Sequence, residues 1–355
     1  MTVLVLRALG LGDALTGVAA LRGVRRAWPG HRVVLAAPQP LGRWLTDLGV
    51  VDAVLPARGL ARLPWPWAGP GGAQDAPGCL AVNLHGRGPE SHRILQQTRP
   101  DALIAFDQPL AGHVGPEWDD TEHEVLRWCR LVGSVGGSCE PEDLRLGPSD
   151  PPDGRADHVV VHPGAAAAAR RWPAARWAAV VTALAAEGHP VTLTGSAAER
   201  DLCEQVRQEA GACEQVRDVS GTLGLPALAR LVATARLLVS SDTGVAHLAT
   251  AYGTPSVTLF GPTPPDLWGP VIDRSRHFVV RHAFPRGEEG AVRRDPNAER
   301  LDPALAALSV HDVLTACEAA LTQRSATGHG TTTPSSPDRP PRRLGVPSPA
   351  PAGPG

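Results

Sequence analysis

The chain has 355 residues, 43% apolar and 20% charged, with a formal net charge of -2. That length fits two domains of about 150 residues plus extra, and so small a charge gives no electrostatic reason to expect nucleic acid as a partner. The N-terminus "MTVLVLRALGLGDAL" is apolar from its start and lacks the basic region of a signal peptide. No apolar run approaches the roughly 20 residues of a membrane span, so a cytoplasmic protein is expected. All 34 basic residues are arginine, a bias that follows the codons of a GC-rich bacterial genome. A role often given to lysine must here fall to arginine. The six cysteines, Cys79, Cys129, Cys139, Cys203, Cys213 and Cys317, form no C-x-x-C pair. Their spacings suit neither zinc nor a secreted disulfide framework. Small core residues or free thiols are the expectation.

In chain order, Val3–Leu6 reads as a strand, Leu9 to Asp13 as a Gly-rich turn, and "ALTGVAALRGVRRAW" as a helix ended by Pro29-Gly30. "HRVVLAAP" follows as a second strand, completing a βαβ unit. "CLAVNLHG" and "ALIAFD" extend the sheet, and 120–137 reads as a helix with a glycine stop. Residues 146–157, rich in Pro, Gly and Asp, read as an interdomain linker. A second series then alternates. "HVVVHPG", "HPVTLTG", "RLLVSS" and "PSVTLFG" are strands; "WPAARWAAVVTALAAEG", "SAAERDLCEQVRQEAG", "LPALARLVATA" and "TGVAHLATAYG" are helices. Residues 310–321 form a last helix, with packing back on the N-terminal domain as its candidate position. From about Ser325 the chain is Pro, Thr, Ser, Gly and Arg, and disorder is expected. Regular alternation predicts doubly wound parallel sheets, with residues 1–150 and 155–324 as domains and 325–355 as a tail. Ligands of such sheets bind beyond the carboxyl ends of the strands, where every Gly/polar loop named above lies.

The loop Gly10-Leu11-Gly12-Asp13 is a poor dinucleotide fingerprint. Leu15 stands where the third glycine is needed, and strand two ends without an acid. What remains is an Asp at a helix start, either an N-cap or a carboxylate that glycines leave approachable. After "VVVHPG", Arg170 and Arg171 precede a helix start, which suits an anion such as a diphosphate; an exposed basic pair is the alternative. Glu199, three residues after Ser196, completes a capping box or accepts from ribose hydroxyls. Asp242-Thr243-Gly244 opens a helix whose amides face the cleft, and His247, four residues after Thr243, shares that face. Gly261-Pro262-Thr263 ends the next strand and should lie alongside.

At these residues the chain resembles glycosyltransferase family 9, the ADP-heptose:lipopolysaccharide heptosyltransferases, over roughly 3–321. The most specific stretch is "SDTGVAHLATAYGTPSVTLFGPTPPDLWGP" at 241–270. "LRALGLGDALTGVAALRGVRRAWPGHRV" is similar to the family's N-terminal motif. "VHPGA", "RRWP" and the segment up to "VTLTGSAAE" are similar to its donor-domain opening. The resemblance implies an α/β fold of GT-B architecture, two Rossmann-like domains facing a cleft, with acceptor bound by the first and nucleotide sugar by the second. It implies inverting transfer of heptose from ADP-heptose to a glycan, glycolipid or small-molecule acceptor, with no essential metal or other cofactor. A glycolipid acceptor would bring the protein into peripheral contact with the inner membrane face.

By that resemblance Asp13 is the general base. Arg170, with Arg171 beside it, replaces the usual phosphate-facing lysine. Glu199 faces the ribose, and Asp242, Thr243, Gly244 and His247 form the donor loop. Gly12, Gly164, Gly261 and Thr263 support these loops. Ala165 to Ala169 and Asn83 depart from the family pattern, which bears on donor and acceptor identity. Two rivals share the fold: a nucleotide-sugar 2-epimerase, and a binding protein that has lost catalysis.

Overall fold

The computed structural model describes residues 1–65, 78–147, 155–211, 214–282 and 295–327. The first half runs β1 (Thr2–Leu6), α1 (Leu11–Thr16), α2 (Val18–Ala27), β2 (Arg32–Ala37), α3 (Gln39–Asp47), β3 (Ala53–Pro56), β4 (Cys79–Asn83), α4 (Glu90–Gln96), β5 (Ala102–Ile104) and α5 (Glu124–Gly133). Its parallel sheet has the order β3-β2-β1-β4-β5. The second half runs β6 (Val159–His162), α6 (Ala174–Ala186), β7 (Val191–Leu193), α7 (Arg200–Glu209), β8 (Val216–Asp218), α8 (Leu225–Thr234), β9 (Leu237–Ser241), α9 (Gly244–Ala251), β10 (Ser256–Phe260), α10 (Pro265–Trp268), β11 (His277–Arg281), α11 (Pro303–Ala307) and α12 (Val310–Thr327). Its sheet is also parallel, in the order β11-β10-β9-β6-β7-β8. Two doubly wound α/β domains are therefore present, as the alternating pattern required.

Strands buried on both faces are apolar throughout, and alternate residues feed different cores. In β1, Val3 and Val5 enter one core while Leu4 and Leu6 enter another, under Trp65 and Leu95. In the second sheet, Val159, Val161, Leu237 and Val239 pack under α6 and α12. Val160 and Leu238 face the opposite way, into the core that holds Val3 and Val5. That core is therefore shared. It joins Leu15, Leu21, Trp44 and Leu45 of the first half to Val232, Val245, Leu248 and Ala249 of the second. Helix α1 packs on α9, and α3 packs on α8. Polar ties reinforce this seam. Arg145 grips Asp273 in a two-pronged ion pair at 2.6 and 2.8 Å, and His123 Nε2 lies 3.0 Å from the Gly269 carbonyl.

Several expectations need correcting. The first predicted helix is two, divided at Gly17, where a side chain would meet Arg7 at 2.7 Å. The helix expected at 120–137 is shorter, because His123 caps α5 and the chain has already turned at Gly136, φ +84°. The last helix packs on the second sheet and not back on the first domain: Val313, Cys317, Ala320 and Leu321 are buried in the second core. It also continues through Thr327; residues 328–355 of the expected tail, and 148–154 of the expected linker, lie outside the described residues. No strand was expected after "PSVTLFG", yet His277–Arg281 forms the edge strand β11.

The cysteine reading also fails at one pair, since Cys129 and Cys139 form a disulfide. A local turn through Gly136 and Gly137 returns the chain alongside α5, and spacing arguments built for zinc sites or secreted frameworks do not address such a turn. Cys79, Cys203 and Cys317 are buried thiols, and burial pushes the last two up to about 12. Cys213 lies outside the described residues.

Candidate functional site

A cavity of about 340 Å³ opens where the strand-end loops of the two sheets meet. The first half contributes Gly10, Gly12 and Asp13. Gly10 is the N-cap of α1 and no side chain caps that helix, so Asp13, in its first turn, is not a cap. Its carboxylate has no hydrogen-bond or ion-pair partner among the described residues, whereas its carbonyl is tightly held. That oxygen accepts from Thr16 Oγ1 at 2.9 Å and from Arg7 Nε.

Arg7, 1% exposed, organises this loop from beneath. A buried guanidinium is tolerable only when paired and fully hydrogen-bonded. Arg7 donates to the carbonyls of Asp13 and Leu84, to Thr16 Oγ1 at 2.8 Å and to Glu124 Oε1 at 3.1 Å. Glu124 is completed by Arg127 at 2.6 Å and Trp128 Nε1 at 2.7 Å. Nearby, His85 Nδ1 accepts from the Ala8 amide at 3.2 Å, which leaves the ring proton on Nε2. Burial, with Arg7 beside it, drives the His85 pKa down to about 4.

The second half contributes Ala166, Arg170, Asp242, Thr243, Gly244, His247, Thr263, Trp268, Pro296 and Asn297. Thr243 is the N-cap of α9, with no side-chain cap on the first amides. Asp242 is 5% exposed. Arg170 Nη1 donates to its carbonyl at 3.2 Å and lies 3.8 Å from its carboxylate, a loose contact that leaves the guanidinium free to take a second anion. Burial drives the His247 pKa below its ordinary value despite the nearby carboxylates of Asp242 and Asp13, so the ring is neutral at pH 7.

The two halves touch through glycine. A Cβ on Gly244 would lie 2.9 Å from the Gly12 amide nitrogen, and one on Gly12 would lie 3.0 Å from the His247 ring. The spacing of Gly12 and Gly244 is thus what lets α9 approach α1.

Of the residues expected in the site, the cavity gathers Gly12, Asp13, Arg170, Asp242, Thr243, Gly244, His247 and Thr263. Arg171, Glu199, Gly164 and Gly261 do not line it. Arg171 instead stitches its own loop, donating to the carbonyls of Ala165 at 2.7 Å and Ala166 at 3.2 Å. Glu199 forms the capping box with Ser196, accepting from its amide at 2.7 Å. Burial works to raise the Glu199 carboxyl, but the Ser196 bonds and the charges of His162 and Arg171 hold it below the usual range. Gly164 leaves room for this carboxylate, which a Cβ there would meet at 2.1 Å; Gly261 leaves room for Leu305 at 2.9 Å.

Sequence reasoning missed Gly10, Ala166, Trp268, Pro296 and Asn297. Residues 295–302 reach the site because the Ala169 amide donates to the Ala298 carbonyl and the Asp302 amide to the Ala169 carbonyl, a pairing no local pattern announces. Among the described residues no group of three His, Cys, Asp or Glu side chains is placed to hold a metal ion, and no helix is long and apolar enough to cross a membrane.

Known proteins resemble this chain in sequence and in fold. Lipopolysaccharide heptosyltransferase 2 of Escherichia coli is 29% identical over 160 residues, 44% of this chain and 44% of that protein. The matched stretch thus spans less than half of that relative. Lipopolysaccharide heptosyltransferase 1 of Pseudomonas aeruginosa is 27% identical over 317 residues, 76% of this chain and 81% of that one. The solved structure of E. coli ADP-heptose lps heptosyltransferase II superposes with a TM-score of 0.69 at 19% identity, covering 92% of this chain and all of that one. The fold is the GT-B fold of those structures. Residues 143–290 match the model of glycosyltransferase family 9 (heptosyltransferase), and this part of the chain is similar to that family.

Proposed function

We propose that the protein is an inverting glycosyltransferase that needs no metal and moves heptose from ADP-heptose to a hydroxyl of a glycan or glycolipid acceptor. The observation that carries this is the meeting, in one cavity, of an Asp13 carboxylate unpartnered among the described residues, from one sheet, with Arg170 and the α9 N-terminus from the other. The acceptor hydroxyl attacks the anomeric carbon, its oxygen–carbon bond forming as the carbon–phosphate oxygen bond breaks. Asp13 takes the hydroxyl proton. Charge developing on the departing diphosphate meets the Arg170 guanidinium and the free amides of Thr243 and Gly244. A single displacement of this kind inverts the anomeric centre. Glu199, with Arg171 on the same loop side, extends the donor site toward the ribose.

On this reading residues 1–150 hold the acceptor and 155–324 the donor, and the work is done in the cytoplasm. The relatives' names point to a lipopolysaccharide core acceptor, reached at the inner membrane face. A cell-wall glycan or a small molecule fits the same chemistry. The direct test is ADP release and sugar transfer from ADP-heptose to a truncated lipopolysaccharide core, before and after EDTA treatment. Asp13→Asn should bind ADP-heptose as the parent does and lose at least about a hundredfold in turnover. Full turnover by that variant would remove Asp13 as the base, and loss of activity in EDTA would remove the metal-free mechanism.

A further inference from the structure

Most residues lining the cavity are polar or glycine; with Ala166 and Pro296, the indole of Trp268 supplies the apolar side chains, and it is the large one. Its setting is rigid. Trp268 ends the single turn of α10, which begins at Pro265 after Pro264. Gly269 follows, its amide donating to the Pro265 carbonyl at 2.6 Å in a turn where any Cβ would lie 2.4 Å from that oxygen. The Gly269 carbonyl is in turn within hydrogen-bond distance of His123 across the seam. The ring stands edge-on to His247, centroids 6.4 Å apart. A partly exposed aromatic plate held this firmly at the cavity wall costs exposed apolar surface unless a ligand covers it.

We infer that Trp268 is the specificity-determining platform on which the transferred sugar of the donor packs the C–H face of its ring. The inference rests on the nucleotide-sugar reading of the cavity. It follows from order along the ligand: the diphosphate belongs at Arg170 and the α9 N-terminus, and the anomeric carbon must lie within reach of a hydroxyl bound to Asp13. The sugar therefore occupies the space between α9 and Asp13, which Trp268 borders, while the nucleobase lies two phosphates away.

Calorimetric titration of the full chain with ADP and, separately, with ADP-heptose tests this. Trp268→Leu, which keeps apolar bulk and loses the flat face, should weaken ADP-heptose about tenfold, the effect of losing roughly one good packing contact. It should leave ADP within about twofold, which also reports that the variant is folded. Trp268→Tyr should keep most of the affinity for ADP-heptose. Equal weakening of both ligands, or of neither, overturns the platform. A parent protein that binds neither ADP nor ADP-heptose overturns the donor reading itself.

Discussion

Asp13 and Asp242 are both aspartates at helix starts, yet their surroundings divide their labour. Asp13 has a pinned carbonyl and, among the described residues, a carboxylate without a partner, an arrangement that suits the proton transfer proposed for it. Asp242 is nearly buried and leans only loosely on Arg170. Because Arg170 is not consumed by that contact, Arg170→Ala should weaken ADP binding by about tenfold or more, as a charge-assisted contact is worth roughly 1.5–3 kcal/mol. Unchanged affinity by calorimetry would take Arg170 out of the site. At this scale the sequence was legible where chemistry is local. Asp242, Thr243, Gly244 and His247 fall within six residues of one strand-to-helix junction, so their company is fixed by the chain itself. The contacts of Arg171 and Glu199 were not legible, because a position does not tell where a long side chain turns: one closes its own loop, the other its own cap. Trp268 and Asn297 were missed because they reach the cavity through tertiary contacts. Arg7, just after the predicted strand Val3–Leu6, drew no reading of its own, because its partner Glu124 lies 117 residues away.

The element that joins the halves is the α1–α9 pair. Its close approach depends on Gly12 and Gly244 and has no slack, since a methyl on Gly244 meets Leu11 Cβ at 2.8 Å as well as the Gly12 backbone. Gly244→Ala should therefore cost about 1–3 kcal/mol in denaturant unfolding, in the range of an overpacked core, and should depress turnover through misplacement of Asp13. A variant of parental stability would show that the seam can open without cost.

A second tie is the Arg145–Asp273 pair. The hydrogen bonds from Arg145 hold the Asp273 carboxyl below the ordinary range. A carboxyl depressed in the folded state adds its stability above the unfolded value of about 3.9 and loses it as pH falls through the lower folded value. Asp273 lies at φ +49°, which asparagine tolerates, so Asp273→Asn removes charge without backbone strain. That variant should be less stable by about 1 kcal/mol at pH 7, with the deficit shrinking as the pH is lowered below about 4. A deficit that does not change with pH would mean that the pair's charge is not its contribution. Elements with plain period-2 or period-3.6 patterns were legible. Short edge strands such as β8 and β11, and the break at Gly17, were not, because neighbours and not local pattern decide them.

For the whole molecule, the shared core changes the expected mechanics. A two-domain cleft enzyme suggests hinged halves that close on substrate. Here Leu15, Trp44 and Leu45 share one apolar interior with Val232, Val245 and Leu248, and domain motion is the default only where the interface is small or polar. The two halves should unfold together, in one calorimetric transition; two resolved transitions would mean that the interface contributes little. The sequence showed two domains because alternation is local. It could not show their union, since Val160 and Leu238 look like any buried strand residues, and only the sheet's orientation sends them across the seam.

The same shared interior makes the chain divisible in a way its connectivity hides. If the polypeptide were cut between Gly147 and Arg155, each fragment would carry half of an apolar contact surface, α1 with α3 on one side and α8 with α9 on the other. Neither fragment would be at home alone in water, but together they rebuild the cavity, with Asp13 on one chain and Asp242 to His247 on the other. Reassembly of the two pieces through the α1–α9 and α3–α8 contacts is the behaviour such an interface encodes.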